Sequence, residues 1–227
     1  MLDAKNVFWG GNRVNKKSIM QRIEKTGLVP VVVIEDIEDA VPTARALLAG
    51  GIDMMEITFR TACAKEAIRK VNEEVPEMLV GAGTILDLLQ VQEAISAGAG
   101  FIVSPGFSEE VVRWCEDAGI AVVPGCVTPT EIMGARRLGL SVVKYFPANL
   151  YGGIKGIKTL SGVFRDMRFL PTGGVNLDNL SEFAAEKSVI AIGGSFVCTS
   201  KDIRNKDFDK ITDLCRSAVE TIRKTRG

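Results

Sequence analysis

The chain has 227 residues, of which 46% are hydrophobic, and its 28 Lys and Arg balance its 28 Asp and Glu. The length predicts a single domain spanning 1–227, and the zero net charge gives no reason to expect nucleic-acid or membrane partners. The chain contains no histidine, which excludes histidine triads and imidazole acid–base chemistry and argues against a transition-metal site.

The features that bear on cellular location point to the cytoplasm. No apolar run approaches the roughly 18 residues that span a bilayer, and residues 1–17 contain no apolar signal core. The five cysteines are odd in number and include no Cys-x-x-Cys pair. We therefore expect reduced thiols in a cytoplasmic protein.

One pattern recurs along the chain: a short β-branched apolar run, a polar turn, and an amphipathic helical stretch. Continuous apolar runs are typical of strands covered on both faces, as in parallel sheets. In chain order the predicted strands are Val29–Ile34, Ile52–Ile57, Met78–Val80, Phe101–Val103, Ile120–Val123, Ser141–Tyr145, Arg168–Leu170 and Val189–Ile192.

Helical patterns lie before and between these runs. One helix, about Lys16–Lys25, precedes the first strand, and Thr128-Pro-Thr-Glu131 has the residue types of a helix N-terminus. Glycines that suit left-handed helix ends precede five strands: Gly27, Gly50, Gly98, Gly119 and Gly139. The helices predicted between strands include Ala40–Ala49, Ala62–Glu74, Leu88–Ala97, Glu109–Ala118 and Pro129–Leu138.

Eight alternating units predict an α/β fold, the (β/α)8 TIM barrel, with an extra N-terminal helix that would cover its lower mouth. An open doubly wound sheet is the alternative. The first strand lacks the Gly-x-Gly-x-x-Gly turn of a dinucleotide-binding fold, which counts against it. In a barrel the active site lies at the carboxyl ends of the strands.

The end of the second predicted strand carries Glu56, Thr58 and Arg60 at alternate positions, so these side chains share one face. A carboxylate in this apolar segment points into the barrel mouth or is paired. A structural Glu56–Arg60 ion pair explains the segment as well as a catalytic role does. After the third strand, Gly81-Ala-Gly-Thr84 permits close approach of a ligand, although Thr84 would also serve as a helix cap.

The sixth predicted strand contains a lysine, Lys144, between apolar and aromatic residues. Desolvation lowers the pKa of a lysine and makes the neutral, nucleophilic amine accessible. A snorkelling or ion-paired lysine is the alternative, and the mid-strand position favours the functional one.

Paired glycines follow the last two predicted strands, in Pro171-Thr172-Gly173-Gly174 and Gly193-Gly194-Ser195. These are the strand ends where a phosphate binds in this fold, held by backbone N–H groups. Tight turns that need glycine are the simpler explanation of either pair alone. Both pairs together favour a phosphate site.

These segments resemble the 2-dehydro-3-deoxy-phosphogluconate aldolase / 4-hydroxy-2-oxoglutarate aldolase family over most of the chain. The resemblance rests on Glu56-Ile-Thr-Phe-Arg60-Thr, Gly81-Ala-Gly-Thr84, Ser104-Pro105-Gly106, Pro124-Gly125, Val143-Lys144-Tyr-Phe-Pro147-Ala, Pro171-Thr-Gly-Gly174 and Gly193-Gly-Ser195.

The resemblance implies a class I aldolase, a homotrimer that needs neither cofactor nor metal. Lys144 would form a Schiff base with a 2-keto acid, and Glu56 would move protons through a water. Arg60 and Thr84 would hold the carboxylate. Pro105 and Phe146 would line the pocket, and the substrate phosphate would lie among Thr172, Gly173, Gly174, Gly194 and Ser195.

The implied substrates are 2-dehydro-3-deoxy-6-phosphogluconate, which yields pyruvate and glyceraldehyde 3-phosphate, and 4-hydroxy-2-oxoglutarate, which yields pyruvate and glyoxylate. The galactonate-derived phosphate, a phosphosugar isomerase on the same barrel and a non-catalytic phosphosugar-binding barrel remain alternatives. Three positions depart from the commoner family pattern: Phe59 for Leu, Tyr145 for Phe and Asn149 for Glu. None removes a catalytic group, but they leave the substrate preference open.

Overall fold

The computed structural model describes residues 15–227. Residues 1–14 lie outside this range. The predicted domain span of 1–227, and the prediction that residues 1–17 lack a signal core, therefore extend beyond the described residues. Within 15–227, no helix combines the length and the apolar character needed to cross a membrane.

Eight short strands occur in the predicted order, and each predicted run overlaps one of them. The last overlap is a single residue, because Val189 pairs with Phe169 only as an isolated bridge, whereas the strand that pairs with the first strand begins at Ile192. The strands are β1 (Leu28–Val32), β2 (Met54–Thr58), β3 (Leu79–Gly83), β4 (Phe101–Val103), β5 (Ala121–Val123), β6 (Val142–Tyr145), β7 (Arg168–Pro171) and β8 (Ile192–Gly194).

Every strand pairing in the described residues is parallel. Six strands form one sheet in the order β5-β4-β3-β2-β1-β8, and β6 and β7 form a second. Isolated parallel bridges join Gly125 to Lys144 and Thr172 to Gly193. The Lys144 N–H donates to the Pro124 carbonyl at 2.8 Å. The chain is therefore an α/β protein whose parallel strands form a curled sheet.

Helices alternate with the strands, and those predicted from the sequence agree with the structure to within two residues at each end. The sequence patterns delimited no helix after the sixth strand, where four occur. The helices are α1 (Lys16–Thr26), α2 (Ala40–Ala49), α3 (Ala64–Glu74), α4 (Leu88–Ser96), α5 (Glu109–Ala118), α6 (Pro129–Arg137), α7 (Gly153–Val163), α8 (Leu180–Ala184), α9 (Ser200–Arg204) and α10 (Phe208–Arg226).

Local signals explain several helix ends. Thr128 and Glu131 form a reciprocal capping box at the start of α6, as predicted. The expectation of a left-handed Gly50 is wrong: its φ is −84°, and Gly51 adopts the positive φ instead. Gly50 is required for space, because a side chain there would meet the Thr212 carbonyl oxygen at 2.9 Å.

The buried side chains form two clusters. The larger lies between the sheet and the helices that cover it. The smaller combines strand residues such as Met54, Phe101 and Leu170 with Ile19 and Ile23 of α1. Because α1 packs against the amino-terminal part of the strands, their carboxyl ends are left to form the site.

Candidate active site

Lys144 of β6 and Glu56 of β2 meet across the carboxyl ends of the strands. The Lys144 Nζ donates to the Glu56 Oε1 at 3.3 Å, and their side chains are only 6% and 1% exposed. Gly83 of β3 makes room for this pair, since any side chain there would overlap the Glu56 carboxylate. The Phe146 ring lies 5.3 Å from Nζ. A buried ammonium and carboxylate thus form one hydrogen-bonded pair, and the proposed structural Glu56–Arg60 pair is wrong.

Two buried polar atoms at this end of the strands have no hydrogen-bond partner within residues 15–227: the Glu56 Oε2 and the Thr172 Oγ1. Buried polar groups are nearly always bonded, so such atoms are where a substrate or a water is expected to bind. Thr172 follows β7 and packs against Gly193 of β8, where a side chain would overlap its hydroxyl. The carboxyl ends of β2 and β7 therefore leave a carboxylate oxygen and a hydroxyl, respectively, free for a ligand.

Arg60 and Thr84 lie together at the ends of β2 and β3. The Arg60 Nε donates to the Thr84 Oγ1 at 3.0 Å. Thr84 has a left-handed φ of +57°, which is unusual for a β-branched residue. It does not cap the following helix, because Asp87 is the N-cap of α4. The structure thus brings the guanidinium and this hydroxyl to the same edge as Glu56.

A cavity of about 400 Å³ opens at this edge. It is lined by eight of the eleven predicted site residues: Arg60, Lys144, Phe146, Thr172, Gly173, Gly174, Gly194 and Ser195. Glu56 and Thr84 reach it through their bonds to Lys144 and Arg60. The third residue that does not line it is Pro105, whose carbonyl oxygen packs tightly against Gly125.

Five residues that line the cavity were not predicted: Val31, Val33, Val175, Thr199 and Ser200. Alternation along the first strand places Val31 and Val33 on one face, and that signal was available in the sequence. Thr199 is the N-cap of the five-residue helix α9. Its Thr-Ser-Lys-Asp segment resembles a capping sequence, but nothing in the sequence shows that α9 abuts the β7 and β8 ends.

The glycines after β7 adopt conformations that only glycine accepts readily. Gly173 and Gly174 have φ of +91° and +82°. Backbone bonds connect this turn to the segment after β6: the Ala148 N–H donates to the Thr172 carbonyl at 2.8 Å, and the Asn149 N–H to the Gly173 carbonyl at 3.1 Å. The turn is therefore held in place by the segment that follows Lys144.

Thiol chemistry does not suit this site. One cysteine, Cys126, is hydrogen-bonded to the backbone of Lys144: its N–H donates to the Lys144 carbonyl at 2.9 Å. Burial raises the pKa of the Cys126 thiol to about 12, so it carries no thiolate near neutral pH. In the described part of the chain, no cluster of three or more His, Cys, Asp or Glu has the arrangement of a metal site.

A second depression, of about 540 Å³, lies on the surface beside Arg136 and Arg137. These exposed guanidiniums are paired with Asp166 and Glu109. Their ion pairs have a simple electrostatic explanation, and neither of the buried unbonded polar atoms lies there. The smaller cavity beside Lys144 is the candidate active site.

The parallel α/β fold and the buried lysine–carboxylate pair at the strand ends together define a class of protein suited to imine chemistry on small carbonyl compounds. Residues 19–214 match the model of the KDPG and KHG aldolase family. The chain belongs to this family of carbon–carbon lyases.

Two individual relatives support this family membership. The chain is 44% identical over 205 residues to the 2-dehydro-3-deoxy-phosphogluconate aldolase of Treponema pallidum (strain Nichols), covering 90% of this chain and 98% of the relative. It is 43% identical over 207 residues to the KHG/KDPG aldolase of Escherichia coli (strain K12), covering 91% and 97%.

A solved structure shares the fold. The KDPG aldolase from Legionella pneumophila superimposes with a TM-score of 0.85 and 35% identity, covering 92% of this chain and 99% of that one. That structure holds pyruvate captured at low pH as a covalent carbinolamine intermediate.

Proposed function

We propose that this protein is a class I aldolase that cleaves 2-dehydro-3-deoxy-6-phosphogluconate (KDPG) to pyruvate and glyceraldehyde 3-phosphate through a Schiff base on Lys144. The observation that carries this proposal is the buried Lys144–Glu56 pair at the strand ends, with Nζ and Oε1 3.3 Å apart. The family membership and the carbinolamine in the Legionella relative support it.

Lys144 is the nucleophile. Lys144 passes its ammonium proton to Glu56, and the neutral amine adds to the C2 carbonyl of the substrate to give a carbinolamine. Glu56 returns the proton to the departing hydroxyl, which leaves as water and gives the iminium. Glu56 removes the proton of the C4 hydroxyl, the C3–C4 bond breaks, and its electron pair moves into the iminium to give an enamine. Reprotonation at C3 and hydrolysis then release pyruvate and regenerate the amine.

Glu56 moves these protons through one water. Its Oε1 accepts from Lys144 while its Oε2 has no bond to any described residue, so one carboxylate oxygen holds the amine and the other is free to bind the water that carries the protons. The Lys144 and Glu56 side chains are almost fully buried, and this burial strengthens the electrostatic interactions between them.

Arg60 and Thr84 bind the keto-acid carboxylate. Arg60 lines the cavity beside Lys144 and is fixed in direction by its bond to Thr84. A planar guanidinium suits bidentate carboxylate binding. Phe146, which lines the cavity, forms the apolar side of the pocket around the imine. The resemblance would add Pro105 to this side, although Pro105 itself does not line the cavity.

The phosphate lies at the other end of the cavity, against Thr172, Gly173, Gly174, Gly194 and Ser195. Thr172 contributes a buried hydroxyl with no partner in the described chain, and the glycines let the phosphate approach the backbone. Cleavage of 4-hydroxy-2-oxoglutarate (KHG) to pyruvate and glyoxylate is a second activity of the same site, favoured by the Escherichia coli relative, which is named for both substrates.

We also propose the finer architecture: one domain in which the sheets close into a (β/α)8 TIM barrel, with α1 as an extra helix over its lower mouth. The bridges Gly125–Lys144 and Thr172–Gly193 support closure, and Ile19 and Ile23 in the interior cluster support the placement of α1. The resemblance leads us to propose a homotrimer, which light scattering would test. Five free cysteines support a cytoplasmic location.

Steady-state pyruvate release tests the function. We expect cleavage of KDPG with the highest kcat/KM, slower cleavage of KHG, and the galactonate-derived phosphate as the comparison for stereochemistry. Lys144→Arg keeps the charge but cannot form the imine, so it should abolish cleavage. Full activity in Lys144→Arg would exclude the Schiff-base mechanism and favour an isomerase-like role.

A further inference from the structure

Tyr145, the residue after Lys144, forms a side-chain hydrogen bond to the far end of the segment that follows it. Its side chain is buried, with 2% exposure, and its ring packs edge-on against Phe169 with centroids 6.2 Å apart. Its hydroxyl donates to the backbone carbonyl of Tyr151. A phenylalanine would fill the same space without this bond.

Gly156 of α7 completes the contact. A side chain at this position would overlap both the Tyr145 hydroxyl and the Tyr151 carbonyl oxygen. The hydroxyl, the carbonyl and the bare backbone of Gly156 thus form one close-packed unit, which we call the Tyr145 anchor. Its geometry is specific to a hydroxyl at position 145.

The segment 146–152 lies between β6 and the anchor and carries two parts of the site. Phe146 places its ring 5.3 Å from the Lys144 Nζ. Ala148 and Asn149 donate backbone hydrogen bonds to Thr172 and Gly173. The anchor therefore fixes the far end of a segment whose middle supports the turn after β7.

The hydroxyl is suited to a permanent donor role. Burial raises the pKa of Tyr145, and the nearby Tyr151 adds to the increase. The group therefore stays protonated and continues to donate across the range in which the enzyme would work.

We propose that Tyr145 is a positioning residue that holds segment 146–152, and through it the turn Thr172–Gly174, in the arrangement that receives the substrate phosphate. This inference rests on the proposed aldolase function. Phe146 directly follows β6, whereas the anchor fixes the opposite end of the segment, beyond the residues that support the turn. The anchor therefore sets the affinity for phosphorylated substrate and has little influence on imine formation.

The test compares Tyr145→Phe with Tyr151→Phe, which removes a tyrosine hydroxyl six residues away while leaving the accepting backbone carbonyl in place. Losing one buried hydrogen bond should raise KM for KDPG about threefold to tenfold in Tyr145→Phe. The KM for KHG, the kcat, and the rate of pyruvate imine formation should stay within about twofold of wild type. Tyr151→Phe should match wild type throughout.

A second variant pair tests the geometry of the anchor. Gly156→Ala should raise KM for KDPG in the wild-type background, because the new methyl displaces the hydroxyl and the carbonyl. In the Y145F background the Tyr151 carbonyl is free to turn away, so the same change should have a smaller effect. Such non-additivity is expected of residues in direct contact.

Three outcomes would overturn the inference. The first is a Tyr145→Phe enzyme with unchanged KM for KDPG, and the second is a KM raised equally for KDPG and KHG, which would mean general loosening. The third is additive effects of Tyr145→Phe and Gly156→Ala. A wild-type protein that cleaves neither substrate would instead refute the proposed function, and the inference with it.

Discussion

Glu56→Gln offers the sharpest test of the proton carrier. Glutamine has nearly the same shape as glutamate, so it fits beside Gly83, where the side chain has no room to move. The amide cannot accept the proton of the C4 hydroxyl. General acid–base catalysis contributes about 10²–10⁴-fold, so we expect kcat to fall by about that factor, which corresponds to roughly 3–5 kcal/mol in the barrier.

The assay separates proton transfer from imine formation. Exchange of the pyruvate C3 protons with deuterium, followed by NMR, requires both steps, whereas borohydride trapping of pyruvate requires only the imine. In Glu56→Gln the exchange should slow by about 10²-fold or more while the adduct still forms.

The control is Asp202→Asn, which neutralises another buried carboxylate that is paired with a lysine, Lys210, at 2.5 Å. Asp202 does not line the cavity, and among the described residues its side chain's one hydrogen bond to a lining residue is to Thr199 beside β8, not to Lys144 or Glu56. Pyruvate exchange should therefore change by less than about twofold. Exchange at the wild-type rate in Glu56→Gln would refute the assignment of Glu56 as the proton carrier.

Three further predictions follow from neighbouring contacts. Gly83→Ala should lower kcat/KM by about 10²-fold, because its methyl would displace the Glu56 carboxylate and a misplacement of about 1 Å is enough for such a loss; steady-state kinetics would check this. Arg60→Lys loses the guanidinium fork and should weaken pyruvate binding about tenfold in competitive inhibition. Burial alone would raise the pKa of Asp202, but hydrogen bonds from Lys210 and Thr199 lower it below 3.8. A carboxyl group whose pKa is lowered by folding stabilises the folded state at pH values above its ordinary pKa. This stabilisation is lost as the pH falls through the lowered pKa. The melting temperature of wild type should therefore drop more steeply below about pH 4 than that of Asp202→Asn, and parallel melting curves would contradict this.

The strand order and much of the site could be predicted because each depends on local pattern. Lys144 stands out as a cation in an apolar strand, and the glycine pairs stand out at the ends of β7 and β8. The hydrogen-bond partner of Glu56 was harder to predict from the sequence. Glu56 and Arg60 share a strand face, yet Glu56 pairs with Lys144, 88 positions away in the chain.

Other features depend on tertiary packing that no local pattern reports. Thr199 and Ser200 line the cavity because α9 packs beside the β8 end. Gly51, rather than Gly50, takes the left-handed turn, because Gly50 packs against α10. Tyr145 is one hydroxyl away from the commoner phenylalanine, and its role becomes visible only with Gly156 and the Tyr151 carbonyl in place.

The central claim is that Lys144 forms the imine, and borohydride reduction in the presence of pyruvate tests it most directly. Peptide mass spectrometry should locate one reduced pyruvyl adduct on Lys144, with loss of activity in proportion to labelling. Lys144→Arg should remain unlabelled and inactive. An enzyme that cleaves KDPG while its adduct forms on another lysine, or does not form at all, would contradict the account.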